Sequence, residues 1–303
     1  MTETDPLPIP SAYKEAFERD FSRFNDIVDG NLQTVEWRGQ RVPLFNQVEI
    51  SPIDMCNRSC VFCPRSDPEV APNQTLAMSL DLCRKMAAEM LALNFKGTVS
   101  LAGYGEPLMH RQLAEIVQIF SPLINVEIYT NGDLLNAKRV TALVAAGASR
   151  IVVNLYDNPE QRSHFEALFH AAKVAQSFYV IRDRWLSAEQ SFGMKVTNRA
   201  GTVAFGGGQS GGQSRPCYYT HYLLMVDWNG DVFLCAQDWN RRVKAGNLFA
   251  SSMMEVWTGS LLKRYRRHLA AGRRDLSPCN KCNADGDCFG LRHAQAWAAV
   301  YGD

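Results

Sequence analysis

The chain has 303 residues, a net charge of +1 and 21% charged side chains, so no basic field points to a nucleic-acid partner. A hydrophobic content of 46% supports a sizeable core, enough for one large domain with a small appendage. The opening MTETDPLPIPSAYKEAF lacks a basic segment followed by an apolar run, and no uncharged stretch approaches the roughly 20 residues that span a bilayer.

Nine cysteines in such a chain imply a reducing compartment, so a cytoplasmic location is expected, with no membrane partner. Residues 11–28 read as an amphipathic helix with Tyr13, Phe17, Phe21 and Phe24 on one face. TVEWRGQRVPLF reads as a hairpin around Arg38-Gly39. Strands and helices then alternate. NQVEIS is a strand, followed by a cysteine-rich loop and a helix beginning near Ser79. GTVSLAG, NVEIYT, RIVVNLY and FYVIRDR are strands; QLAEIVQIF, NAKRVTALVAAG and QRSHFEALFHAAKVAQ are the helices between them. A last strand is placed in GMKVTNR.

This alternation predicts a parallel sheet covered by helices. About six units between residues 46 and 200 are too few for a closed eight-stranded barrel and suit a partial, TIM-like (β/α)6 one. GTVAFGGGQSGGQSRP (201–216) reads as a linker, and a smaller unit follows it.

Cys56, Cys60 and Cys63 follow the first barrel strand, at the sheet end where parallel folds bind ligands. Thiolates select zinc or iron–sulfur clusters. A structural zinc would want a fourth nearby ligand, and the nearest cysteine, Cys83, sits at a helical core position. A cluster with one cysteine-free iron fits better.

C-x3-C-x2-C after the first strand, with Phe62 before the third cysteine, resembles the radical S-adenosylmethionine (SAM) superfamily. The resemblance implies that SAM chelates the open iron of a 4Fe–4S cluster. One-electron cleavage then releases a 5′-deoxyadenosyl radical that abstracts hydrogen from substrate. It also implies roles at the strand ends. Gly105 and Glu106 in LAGYGEP would hold the SAM amino group, and Thr130 and Asn131 in YTNG its ribose or carboxylate. Asn154 would hold a ribose hydroxyl, and Phe62 would pack near the adenine.

In the C-terminal part, WNGD is a hairpin turn that brings Cys217 and Cys235 together, and Cys279-x2-Cys282 supplies a second pair. Four thiolates suit zinc or a 4Fe–4S cluster. The pattern resembles the auxiliary-cluster extension called SPASM, or its shortened twitch form. It is followed through Cys288 and then departs, since Arg292 stands at the next ligand position. One auxiliary cluster is therefore expected, on Cys217, Cys235, Cys279 and Cys282.

Cys288 is left as a structural thiol or a hydrogen-atom donor. Donation would give epimerisation, whereas electron loss to the auxiliary cluster would give dehydrogenation. Arg182, with Asp183 beside it, and Asp157, with Tyr156 beside it, stand on the cavity rim as candidates to orient or deprotonate substrate. Asn198 and Arg199 are further polar candidates there. His110 and His221 read as structural, and RYRRH (264–268) as the solvated face of a helix.

These readings divide the chain into an N-terminal extension (1–45), a radical SAM partial barrel (46–200), a linker (201–216) and a SPASM/twitch domain (217–303). The resemblance implies an oxidoreductase or epimerase acting on a sugar, aminocyclitol or other natural-product intermediate, reduced by a partner such as flavodoxin or ferredoxin. Peptide modification is the alternative, and a non-enzymatic iron–sulfur sensor a more distant one.

Overall fold

A computed structural model describes residues 11–39, 41–184, 197–204 and 214–302. The N-terminal helix α1 (Ser11–Leu32) runs further than its apolar face predicts, and β1 (Trp37–Arg38) pairs antiparallel with β2 (Val42–Pro43), as the hairpin reading required.

The alternating section follows: β3 (Gln47–Ile50), α2 (Leu80–Ala92), β4 (Thr98–Leu101), α3 (Leu113–Phe120), β5 (Asn125–Thr130), α4 (Ala137–Ala145), β6 (Arg150–Leu155), α5 (Gln161–Ala171) and β7 (Tyr179–Asp183). Ser79 caps α2 by accepting from the Leu82 amide, and Asn136 caps α4 by accepting from Arg139. Beyond the linker lie α6 (Tyr219–Tyr222), β8 (Leu223–Val226), β9 (Asp231–Phe233), β10 (Lys244–Asn247), α7 (Met253–Trp257), α8 (Ser260–Ala270) and α9 (Leu291–Tyr301).

One eight-stranded sheet has the order β10-β9-β8-β3-β4-β5-β6-β7. Neighbours from β8 through β7 are parallel, whereas β9 and β10 are antiparallel. This is a partial barrel of the expected class, with one difference in its makeup. The sixth parallel strand is β8, from beyond the linker, pairing Gln47 with Leu223 and Ile50 with Val226. Its LLMV is buried throughout, as a strand covered on both faces must be. Of the strand placed in GMKVTNR, residues 193–196 lie outside the described residues, as do linker residues 205–213. Arg199–Gly201 form a 3-10 turn, with Arg199 (φ 47) and Ala200 (φ 53) left-handed. That backbone cannot continue a strand.

A common core joins both halves. Val48, Val99, Ile128 and Val153 pack with Leu82, Ile116, Val140 and Phe165, and Trp257, Leu269 and Trp297 belong to the same cluster. Cys83 is fully buried there, as a packed thiol should be. His110 and His221 are buried too. The reading of RYRRH as solvated is corrected: Tyr265 and Arg266 are buried, and the Arg266 guanidinium lies 3.9 Å from the centre of the Trp257 ring and 4.1 Å from that of Trp297. Among the described residues no helix is long and apolar enough to cross a membrane.

The helix α1 is fastened to the far edge of the sheet by charge. Arg162 of α5 donates to Asp20 at 2.6 Å and to Asp183 at 2.7 Å, all three buried. Parallel pairing directs the carboxyl ends of β3 to β7 to one edge, where their loops assemble.

Candidate active site: two joined cavities and two cysteine sets

Cys56, Cys60 and Cys63 line a cavity of about 170 Å³ at that edge. Phe62, Gly105, Glu106, Thr130, Asn131 and Asn154 line it as well, so residues from four separate strand ends converge as expected. The loop carrying the thiols is held at several points. Asn73 accepts from the Cys56 amide and donates to its carbonyl, both at 2.8 Å. Buried Arg65 pairs with Asp54 and donates to the Tyr104 carbonyl at 3.0 Å. Arg58 binds Asp133 and Asp157 together, which clamps the loop against the ends of β5 and β6.

Glu106 is 2% exposed. Its carboxylate accepts from the Thr130 hydroxyl (2.7 Å), the Asn131 amide (2.8 Å) and the Leu108 amide (3.0 Å). Burial pushes its pKa up to about 6, against those hydrogen bonds, which lower it. A cationic ammonium is the natural partner for the remaining lone pair. Thr130 and Asn131 are placed as supports: the Thr130 hydroxyl serves Glu106, and the Asn131 side-chain Nδ2 donates to Oδ1 of Asn57 at 2.8 Å. Asn154 donates to the Thr130 carbonyl at 3.3 Å, and the Phe62 ring lies 5.3 Å from that of Tyr156. At Gly105 a Cβ would collide with the Ile53 carbonyl, so the loop's close approach demands glycine.

A second cavity of about 440 Å³ shares Phe62, Asn154, Tyr156, Arg199 and Trp239 with the first. Arg182 lines it, but Asp183 does not: strand alternation turns Asp183 outward to Arg162. The same alternation returns Arg184 to the cavity, a residue the sequence reading passed over although period two points to it. Glu49, on β3, also lines it. Asp157 stands apart from both cavities, exposed and held below the usual carboxylate range by its hydrogen bond to Arg58.

Cys217, Cys235, Cys279 and Cys282 line one small cavity of about 20 Å³. The WNGD turn forms as expected, with the Asp227 amide donating to the Asp231 carbonyl at 2.8 Å and Gly230 at φ +80. Burial pushes the Cys279 thiol up to about 12 and Cys217 to about 11. Four such thiols facing one another ionise only when a metal centre pays their desolvation, so the donor set fits an iron–sulfur cluster. The first set fits likewise, with burial pushing Cys60 up to about 12. Cys288 is exposed and lines none of these three cavities.

Tyr219 and Gln237 line both the second cavity and the four-cysteine cavity. The larger cavity therefore lies between the two cysteine sets.

Comparison with known proteins agrees with this geometry. The family model described as the radical SAM superfamily matches residues 50–174, and that of the iron–sulfur cluster-binding domain SPASM matches residues 217–283. The chain is 27% identical over 244 residues to S-adenosyl-L-methionine-dependent 2-deoxy-scyllo-inosamine dehydrogenase of Niallia circulans, covering 79% of this chain and 93% of that protein. It is 35% identical over 117 residues to a probable GTP 3′,8-cyclase of Methanosarcina acetivorans, across 38% of this chain and 34% of that one. Among solved structures, BtrN in complex with AdoMet and 2-DOIA superposes with a TM-score of 0.70 at 25% identity, over 82% of this chain and 97% of that one. Native anSMEcpe with bound AdoMet and Cp18Cys peptide shares the fold, with a TM-score of 0.52 at 13% identity over 86% and 97%.

Proposed function

This chain is a radical SAM enzyme with a C-terminal SPASM domain, and from that premise we propose that it dehydrogenates a hydroxyl-bearing carbon of a small polyol. An aminocyclitol, a sugar or a related natural-product intermediate is the substrate class, in keeping with the inosamine named for the Niallia circulans relative. The observation that carries the reading is the middle cavity, walled by the SAM-side residues Phe62 and Tyr156 and by the auxiliary-side residues Tyr219 and Gln237. When bound, the SAM-loaded cluster supplies a hydrogen-atom abstractor on one side, and the auxiliary cluster an electron acceptor on the other.

The protein's own groups do the rest. Cys56, Cys60 and Cys63 hold the first cluster, and Cys217, Cys235, Cys279 and Cys282 the second. Glu106 binds the SAM ammonium, with Thr130 keeping the carboxylate ionised. Oxidising an alcohol to a carbonyl removes a hydrogen atom, an electron and a proton. Glu49 lines the cavity and is pushed up to about 7 by burial, so it can take that proton, while Arg182 orients the hydroxyl. We propose the division into extension (1–45), barrel (46–200), linker (201–216) and auxiliary module (217–303), with β8 of the last joining the barrel sheet beside β3.

The exposed position of Cys288 favours dehydrogenation over epimerisation, which needs a hydrogen donor facing the substrate. The reducing partner is proposed to be an acidic one-electron carrier such as flavodoxin or ferredoxin. It would dock on the groove of about 740 Å³ lined by Lys263, Arg264 and Arg273. A cytoplasmic location is proposed, since nine cysteines suit a reducing compartment.

The test is anaerobic turnover of cluster-loaded enzyme with SAM, dithionite and a panel of inosamines, inositols and hexoses. The expected result is 5′-deoxyadenosine matched one-to-one by a ketone. Product at the starting oxidation level carrying solvent hydrogen would replace dehydrogenation by epimerisation. Turnover confined to peptides would overturn the small-molecule reading.

A further inference from the structure

Arg182, Arg184 and Arg199 all line the middle cavity, and among the described residues that line it Glu49 is the one carboxylate. These described lining residues carry a net positive charge of two with Glu49 ionised, from three guanidinium groups against one carboxylate. Among the described residues none of the three arginines has an ion pair or a side-chain hydrogen bond, and the Nε of Arg199 is buried without a partner. The Arg182 guanidinium lies over the Phe24 ring, 3.8 Å from its centre, and both residues line the cavity.

Every other arginine in the two joined cavities has a carboxylate: Arg58 has Asp133 and Asp157, and Arg65 has Asp54. The unpaired three also repel one another. Burial, and then Arg184, pulls Arg182 down to about 9, and burial likewise pulls Arg184 down, with Arg199 adding to it. Collecting like charges in a half-buried cavity costs free energy unless an anion joins them. Arg182 and Arg184 stand away from the cysteine-lined cavity, so the clusters are not that anion.

We infer that the substrate carries an oxyanion, a phosphate monoester or a carboxylate, received in this cavity by Arg182, Arg184 and Arg199. The inference rests on the proposed reading of this cavity as the substrate site and narrows it. A polyol bearing only an amine, like the inosamine of the relative, would add positive charge to positive. Planar guanidinium forks match either oxyanion in paired hydrogen bonds.

The test uses cluster-loaded enzyme with saturating SAM, titrated calorimetrically with inorganic phosphate and, separately, acetate at constant ionic strength. Wild type is expected to bind one of them at a single site. Arg184→Gln should weaken that binding about tenfold or more, and Arg184→Lys less, with SAM affinity unchanged. Phosphate as the tighter probe names a phosphorylated substrate, and acetate a carboxylated one. Arg184→Gln should also melt higher than wild type without either probe, because it removes an unpaired charge. Failure of both anions to bind overturns the inference. So does displacement of the probe by SAM, or loss of binding in Arg264→Gln, on the α8 groove, instead of Arg184→Gln. Failure of the dehydrogenase reading would show separately, as absence of ketone with anion binding intact.

Discussion

The Thr130 hydroxyl donates to Oε1 of Glu106 at 2.7 Å, and neither residue is more than 2% exposed. One buried hydrogen bond thus ties the end of β5 to the carboxylate at the end of β4. Thr130→Val removes the donor while keeping the shape. A hydrogen bond to a charged group is worth about 1.5–3 kcal/mol, so SAM should bind about tenfold or more weakly while iron content stays the same. The pH dependence has a definite sign. Glu106 must be ionised to hold an ammonium, so SAM affinity should fall as pH drops through about 6 in wild type. In Thr130→Val the midpoint should move upward. An unmoved midpoint, read by equilibrium dialysis across pH, would remove Thr130 from the positioning of Glu106.

At Gly286 a Cβ would run into the Sγ of Cys217. Gly286→Ala should therefore displace one ligand of the auxiliary set and leave the first set alone. Iron should fall from about eight atoms per chain toward about four, with SAM-dependent changes in the EPR of the first cluster retained. Cys288→Ala should keep its full iron. Loss of iron in Cys288→Ala but not in Gly286→Ala would reassign the ligands.

Arg162 holds Asp20 of α1 and Asp183 of β7 in one buried cluster. Asp20→Ala leaves part of that charge unmatched, and breaking a buried pair costs about 3–5 kcal/mol. Asp157→Ala, by contrast, opens a half-exposed pair with Arg58 and should cost about 1 kcal/mol or less. Urea unfolding of the two variants should separate them clearly. Equal midpoints would mean that α1 is not fastened by this cluster.

Glu49 lies within electrostatic reach of Arg199, and Arg182, Arg184, Tyr129 and Tyr222 line the same cavity. Its pKa of about 7 stands above the ordinary 4.5 because burial penalises the charge. Its contribution to stability is therefore whole below about 4.5 and lost as pH rises through about 7. Protonation also removes the one negative charge among the described residues that line the cavity. Sulfate, a dianion throughout this range, should bind more tightly at pH 6 than at pH 8 in wild type, and equally at both in Glu49→Gln. A slope that persists in Glu49→Gln would assign the titration to another group.

The local pattern of the chain by itself determined the order of elements, the strand ends that carry chemistry and the two cysteine sets. These are short-range signals. Apolar periodicity marks β3 to β7 and their helices, and spacing alone groups Cys56 with Cys60 and Cys63, or Cys279 with Cys282. Which side chains face one another was decided only by the tertiary structure. Alternation along β7 sends Arg182 and Arg184 inward and Asp183 out to Arg162, but which face is inward depends on where α1 packs. Asp157 looked like a rim catalyst until Arg58, from about a hundred residues earlier, took it as a partner. The sixth parallel strand came from beyond the linker because backbone pairing depends on proximity in space, and chain order carries no record of which edge β8 will meet. The unmatched charge of the middle cavity has the same origin. Three arginines become a site only when folding brings their charges together without bringing carboxylates to match them.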